Sequence, residues 1–239
     1  MAVVMAVPGN EDQAAQLASR LGASVVSAEV RRFPDGELYV RVHGDVAGHD
    51  VALVGSLYPS PAERFMTVAF LASTLRDLGA KRVGLVAPYL AFMRQDHAFN
   101  PGEGVTSGYF AKLVSHTVDW LVTVDPHLHR HNSLDGIYTI PTTIARSAPA
   151  IAKWIAKEIQ QPILIGPDAE SVQWVSAVAD SCGAPFVILE KTRRGDRDVS
   201  IAGTLTGLNG HTPVLIDDIV STGKTLIEAT RQLRAAGSL

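Results

Sequence analysis

Thr212-Pro213-Val214-Leu215-Ile216-Asp217-Asp218-Ile219-Val220-Ser221-Thr222-Gly223-Lys224-Thr225-Leu226 is the stretch from which the fold can be read. The apolar run 214–216 has the length and character of a short buried strand. Two adjacent carboxylates stand where it ends, a small hydroxyl-rich loop follows, and a helical pattern occupies 226–236. Strand, polar loop and helix in that order form the repeating unit of an α/β fold, whose ligands sit beyond the carboxyl ends of the strands.

The same alternation runs through the chain. Strands are expected at 3–7, 51–55, 82–87 and 120–124, and helices at 11–21, 61–79 and 107–116, with Gly22 closing the first helix. The segments 25–33 and 37–42 flank Pro34-Asp35-Gly36, a turn signal that predicts a hairpin. After Pro141 the pattern restarts: helix 144–159, strand 162–165, helix 171–182, strand 186–189, a polar segment 191–198 that reads as an exposed loop, strand 199–205, and then the opening stretch. Two α/β domains with largely parallel sheets follow, 1–142 and 143–239.

The 239 residues, 46% hydrophobic and 19% charged, suffice for one large or two small globular domains. A net charge of −3 gives no sign of a nucleic-acid-binding protein. Cys182 is the single cysteine, which excludes an intrachain disulfide and favours an intracellular protein. The longest apolar stretch, 83–93, is broken by Pro88 and too short to span a bilayer. A cytoplasmic location with no membrane partner is expected.

The chemistry-bearing residues fall at strand ends. The loop 221–225 offers backbone N–H groups, hydroxyls and a helix N-terminus to a phosphate. Asp217 and Asp218 can accept from two neighbouring sugar hydroxyls or hold a divalent cation; vicinal hydroxyls and a phosphate describe a ribose phosphate. A nucleotide P-loop is excluded, because Asp218 stands where its first glycine must be. Arg94 suits phosphate oxygens and Gln95 can donate and accept, although Arg94-Gln95-Asp96 also reads as a surface turn. His127, His129 and His131 form either a metal site, zinc included, or a solvated polar loop. Asp168 ends another strand. The run 190–197, with Lys191 and Arg193, is a basic loop whose plain reading is a solvated charge run.

Five of these segments, in order, resemble the ribose-phosphate pyrophosphokinase (phosphoribosyl pyrophosphate synthetase) family: Phe33-Pro34-Asp35-Gly36-Glu37, Arg94-Gln95-Asp96 with Pro101-Gly102-Glu103, Asp125-Pro126-His127, Lys191-Thr192-Arg193, and 217–225. The resemblance implies two similar domains of type I phosphoribosyltransferase-like fold. It implies transfer of the β,γ-diphosphoryl group of Mg–ATP to the C1 hydroxyl of ribose 5-phosphate, giving phosphoribosyl pyrophosphate and AMP, with Mg²⁺ as cofactor and ATP as co-substrate. Carried over residue by residue, Phe33, Asp35 and Glu37 contact adenine from a neighbouring subunit, while Arg94, Gln95 and His127 bind ATP. His127 and Asp168 hold the metal. Lys191 and Arg193 are catalytic, on a loop closing over the transferred phosphates. Asp217, Asp218, Ser221, Thr222, Gly223, Lys224 and Thr225 bind ribose 5-phosphate. A homo-oligomer, at least a dimer with a shared active site, follows from the hairpin's role.

The sequence departs from the family pattern in several places. Ala169-Glu170-Ser171 stands where Gly-Gly is usual, Ser221 stands where Asp is common, and Lys224 stands where Gly or Ala is common. Gly108-Tyr109-Phe110 alters the helix after the Pro-Gly-Glu turn. Family members continue past the equivalent of Leu239 with at least one more strand and helix, so the second domain reads as short at its C-terminus. Two alternatives stay open: a non-catalytic, nucleotide-binding relative that regulates an active enzyme, and a phosphoribosyltransferase that consumes phosphoribosyl pyrophosphate.

Overall fold

Short apolar strands joined by amphipathic helices can bury both sheet faces only by winding those helices to either side, and the chain does so. The computed structural model describes residues 2–131, 133–189, 191–194, 198–201, 208 and 210–235, with 191–194 and 198–201 described by backbone course alone. The chain divides into two compact units, Met1–Ala145 and Arg146–Leu239.

The first unit runs β1 (Ala2–Ala6), α1 (Glu11–Leu21), β2 (Ser24–Arg32), β3 (Leu38–His43), β4 (Asp50–Val54), α2 (Pro61–Asp77), β5 (Arg82–Ala87), α3 (Thr106–Thr117), β6 (Trp120–Val124) and β7 (Thr142–Ala145). Its sheet has the order β3-β2-β1-β4-β5-β6-β7. Only the β2–β3 pair is antiparallel. Alternation within the strands divides the core. Val3, Met5, Val51, Leu53, Val83 and Leu85 pack with Val68, Leu71 and Leu75 of α2 and with Phe110 and Val114 of α3. Val4 and Val54 pack on the other face with Ala14 and Ala18 of α1. Each fully buried leucine contributes about 2 kcal/mol. Gly22 closes α1 in the left-handed conformation.

The second unit contains α4 (Ala148–Glu158), β8 (Pro162–Gly166), α5 (Val172–Cys182), β9 (Phe186–Ile188), β10 (Lys191–Arg194), β11 (Asp198–Ile201), β12 (Thr212–Leu215) and α6 (Lys224–Ala235). Its main sheet is β12-β8-β9, all parallel. Ala152, Ile155, Trp174 and Val175 of α4 and α5 cover one face of this sheet. Ala229 and Leu233 of α6 cover the other, against Ile163 and Ile165.

Two expectations are corrected. The helix expected over 144–159 begins only at Ala148, and Thr142–Ala145 forms β7, paired parallel to β6. The β-branched Thr142-Thr143-Ile144 run favours a strand, and Pro149 in the first turn of α4 fits a helix that begins there. The segment 191–198 is not a plain loop. Lys191–Arg194 pairs antiparallel with Asp198–Ile201 as a two-stranded ribbon, in which backbone pairing supplies an order that the side-chain pattern lacks. Residues 202–205 of the expected strand 199–205 lie outside the described residues. No described helix is long and apolar enough to cross a membrane.

Candidate active site

In the first unit the candidate residues collect where β5 and β6 end. These neighbouring parallel strands pair Val86 with Val122 and Ala87 with Thr123, so the loops after them emerge side by side. Leu90, Ala91 and Met93 are buried and pin the loop after β5 to the core. Phe92 has φ 61 and packs on Phe110, ring centroids 4.8 Å apart. This anchoring leaves Arg94 exposed and Gln95 half-buried. The Gln95 carbonyl accepts from the Ser107 N–H at the start of α3, 3.2 Å. Across the gap, Asp125 follows β6 with φ 34 and donates its N–H to Ala145 of β7. His127 is half-buried and His129 exposed, their ring centroids 6.3 Å apart.

One contact between the two loops escaped the sequence reading. The Asp96 side chain is only 1% exposed, and it accepts from Arg130 Nη1 at 2.8 Å and from the Arg130 N–H at 3.3 Å. The Arg130 guanidinium lies over Phe99, 5.4 Å from the ring centre. Glu103 of the Pro-Gly-Glu turn accepts from the N–H groups of Phe99 and Asn100 and from the Asn100 side chain. These donors hold its carboxyl below the usual range, the Asn100 side chain contributing most.

The hairpin tip is exposed throughout 33–37. Phe33 N–H donates to the Glu37 carbonyl and Gly36 N–H to the Phe33 carbonyl, while the Asp35 carboxylate accepts from Glu37 N–H and closes the turn. Phe33, 41% exposed, packs edge-on against Tyr39, with the Arg31 guanidinium 5.0 Å from the Phe33 ring centre and 4.0 Å from that of Tyr39. Arg32 pairs with Glu63 of α2. A cavity of about 300 Å³ lies at the hairpin base, between the end of β1 and the start of α2, lined by Pro8, Arg31, Arg32, Ser60 and Arg64 among others. Within one chain β1 and β4 separate β2 from β5, so β2 and β5 stand roughly 14 Å apart. The structure therefore does not bring Phe33, Asp35 and Glu37 together with Arg94, Gln95 and His127 in the same protomer.

In the second unit, parallel pairing of β12 with β8 aligns Leu215 with Ile165, and Ile216 N–H continues the ladder to the Ile165 carbonyl, 2.9 Å. Asp168 therefore ends beside Asp217 and Asp218. Asp168 caps a 3-10 turn over Ala169–Ser171, accepting from Glu170 N–H at 3.0 Å, and its carbonyl accepts the Ser171 hydroxyl at 2.6 Å. Burial, followed by the charges of Asp218 and Asp168, pushes Asp217 up to about 6, opposed by the Asp218 N–H that it accepts at 3.0 Å. Gly223 turns the loop with φ 73. Lys224 and Thr225 belong to the first turn of α6, with Ser221 and Thr222 exposed just before it. Lys191 and Arg193 fall within β10 of the ribbon.

No group of three or more His, Cys, Asp or Glu among the described residues is arranged to hold a metal ion. The three alternating histidines thus do not assemble into a zinc cage. The carboxylates of Asp168, Asp217 and Asp218 are oxygen donors of the kind a magnesium ion takes, one or two together with waters and substrate phosphates. Burial and, after it, the charges of Asp218 and Asp168 raise Asp217, and a nearby divalent cation favours the ionised form against both.

Comparison with known proteins assigns this architecture. Residues 2–117 match the N-terminal domain of ribose phosphate pyrophosphokinase, and residues 134–239 match the phosphoribosyl transferase domain. The ribose-phosphate pyrophosphokinase of Methanopyrus kandleri is 34% identical over 99% of this chain and 80% of its own. The chain belongs to the ribose-phosphate pyrophosphokinase family. Another family member, from Methanobrevibacter smithii, is 32% identical over 96% of this chain and 80% of its own. The crystal structure of phosphoribosylpyrophosphate synthetase from Mycobacterium smegmatis superposes with a TM-score of 0.84 at 25% identity, covering 98% of this chain and 76% of that one.

Proposed function

We propose that this family member is a ribose-phosphate diphosphokinase, forming phosphoribosyl pyrophosphate and AMP from Mg–ATP and ribose 5-phosphate. The observation that carries the reading is the meeting of Asp168, Asp217 and Asp218 at the β8/β12 edge, directly before a loop that opens a twelve-residue helix. The carboxylates of Asp217 and Asp218 accept from the ribose hydroxyls and orient C1. The N–H groups and hydroxyls of Ser221, Thr222, Gly223 and Thr225 hold the 5-phosphate, helped by the Lys224 charge and the α6 N-terminus. Arg94, Gln95 and His127 bind ATP at the edge formed by β5 and β6.

The C1 hydroxyl oxygen attacks the β-phosphorus. A new C1–O–P linkage forms, the bond from the β-phosphorus to the bridging oxygen of AMP breaks, and the hydroxyl proton leaves to solvent. Lys191 and Arg193, within β10, stabilise the charge on the transferred group, the main demand of phosphoryl chemistry. Asp168 and His127 would each offer a donor to magnesium, which would supply charge neutralisation on the phosphates. A second copy of the chain supplies the Phe33 hairpin, because its own hairpin lies two intervening strands from the ATP half-site. The N-terminal family match favours this reading over a phosphoribosyltransferase. Both substrates are intracellular metabolites, so a cytoplasmic location accompanies the reading.

The test is AMP formation from ATP and Mg²⁺, with and without ribose 5-phosphate. We expect AMP only when the sugar is present, and a loss of at least about a hundredfold in Lys191→Ala. ATP binding without AMP formation sinks the reading in favour of a regulatory family member.

A further inference from the structure

The loops after β5 and β6 each contain a non-glycine residue with positive φ, Phe92 and Asp125. Such conformations persist only where surrounding contacts hold them. An ion pair between Asp96 and Arg130 joins these two loops, across 34 residues of sequence. Asp96 is enclosed, with its two oxygens divided between the Arg130 backbone and guanidinium. Arg130 is further confined by Phe99, whose own N–H is fastened by Glu103. Asp96 follows Arg94-Gln95 directly, and Arg130 lies three residues after His127.

We propose that Asp96 and Arg130 are positioning residues which set His127 against Arg94 and Gln95, so that the two loops meet the nucleotide as one rigid surface. This rests on the reading that Arg94, Gln95 and His127 bind ATP. A guanidinium that makes a charge-assisted bond at one edge and stacks on a ring fixes both distance and tilt. A lysine can keep the charge but not the stack.

The test combines calorimetric binding of Mg–ATP, the KM for each substrate and the melting temperature, in Arg130→Ala, Arg130→Lys, Asp96→Asn and the double variant Asp96→Asn/Arg130→Ala. Arg82→Ala, which breaks the Asp50 pair between β4 and β5, is the control for a purely structural ion pair. We expect Arg130→Ala and Asp96→Asn each to weaken ATP binding and raise the KM for ATP by about tenfold, with the KM for ribose 5-phosphate within about twofold. Arg130→Lys should fall between them and the unchanged protein. The double variant should be no worse than the more damaged single one, the mark of two residues acting as a unit. Unchanged ATP binding in Arg130→Ala overturns the inference. So does a parallel rise of both KM values with falling melting temperature, as in the control. If the unaltered protein binds ATP and the variants match it, only the positioning role fails. If it does not bind ATP, the functional reading fails and takes the inference with it.

Discussion

Asp217 shows how one side chain can be set by function against stability. Its carboxyl, pushed up to about 6 by burial and by Asp218 and Asp168, lies above the ordinary value near 3.8. The folded state therefore prefers it neutral. Its contribution to stability is intact below about pH 4 and is lost as pH rises through 6. Asp217→Asn should consequently be more stable than the unaltered protein at pH 8, with the gain vanishing below pH 4. The full linkage is about 3 kcal/mol; solvent screening at this half-exposed position reduces it to about 1–2 kcal/mol. Denaturant unfolding at both pH values checks this, and an equal stability difference at the two removes ionisation of the Asp217 carboxyl as the cause. The same variant should raise the KM for ribose 5-phosphate, because the amide is a poorer acceptor for sugar hydroxyls. That Asp217 is chemically special could be read from its place after an apolar run. That Asp168, 49 residues away in sequence, presses on it required the β12–β8 pairing.

At the scale of elements, the strand-end turns do the positioning. Gly166 ends β8, and a Cβ placed there would lie 2.4 Å from the Ser171 hydroxyl and 2.5 Å from Ile188. The 3-10 turn that Asp168 caps is therefore packed directly against a bare backbone. Gly166→Ala should cost about 1–3 kcal/mol through overpacking and raise the magnesium concentration needed for half-maximal activity, since Asp168 must move with the turn. A variant of normal stability with a normal magnesium requirement would separate the turn from the site. Most elements were legible because their signals are local: Gly22 after α1, Pro34-Asp35-Gly36 between β2 and β3, and apolar runs for the parallel strands. The misread pieces, β7 and β10, are edge or ribbon strands whose partners, rather than their own patterns, define them.

At the scale of the molecule, the reading requires a second copy. Met66 and Phe70 on α2 and Tyr109 and Leu113 on α3 are 41–57% exposed, and a groove of about 600 Å³ lined by Leu38, Met66 and Phe70 runs beside the hairpin. These features support a partner on this side of the first unit. If the hairpin acts in trans, Phe33→Ala and His127→Ala subunits should complement each other. A hybrid dimer keeps one site with both residues, so an equal mixture should recover about a quarter of the unaltered activity. No recovery after subunit exchange would place the hairpin in its own site.

The amino-acid order alone determined the α/β class, most strand and helix positions, and the candidate residues for phosphate, sugar hydroxyls and metal, because each depends on near neighbours in the chain. Tertiary structure decided which of them meet. Parallel pairing brings Asp168 to Asp217 and Asp218, the buried Asp96 carboxylate ties Arg130 to the loop carrying Arg94 and Gln95, and two intervening strands of the same sheet separate the Phe33 hairpin from that loop. Those outcomes depend on strand order and register, which arise from burying whole faces of a sheet and are not encoded in any single segment.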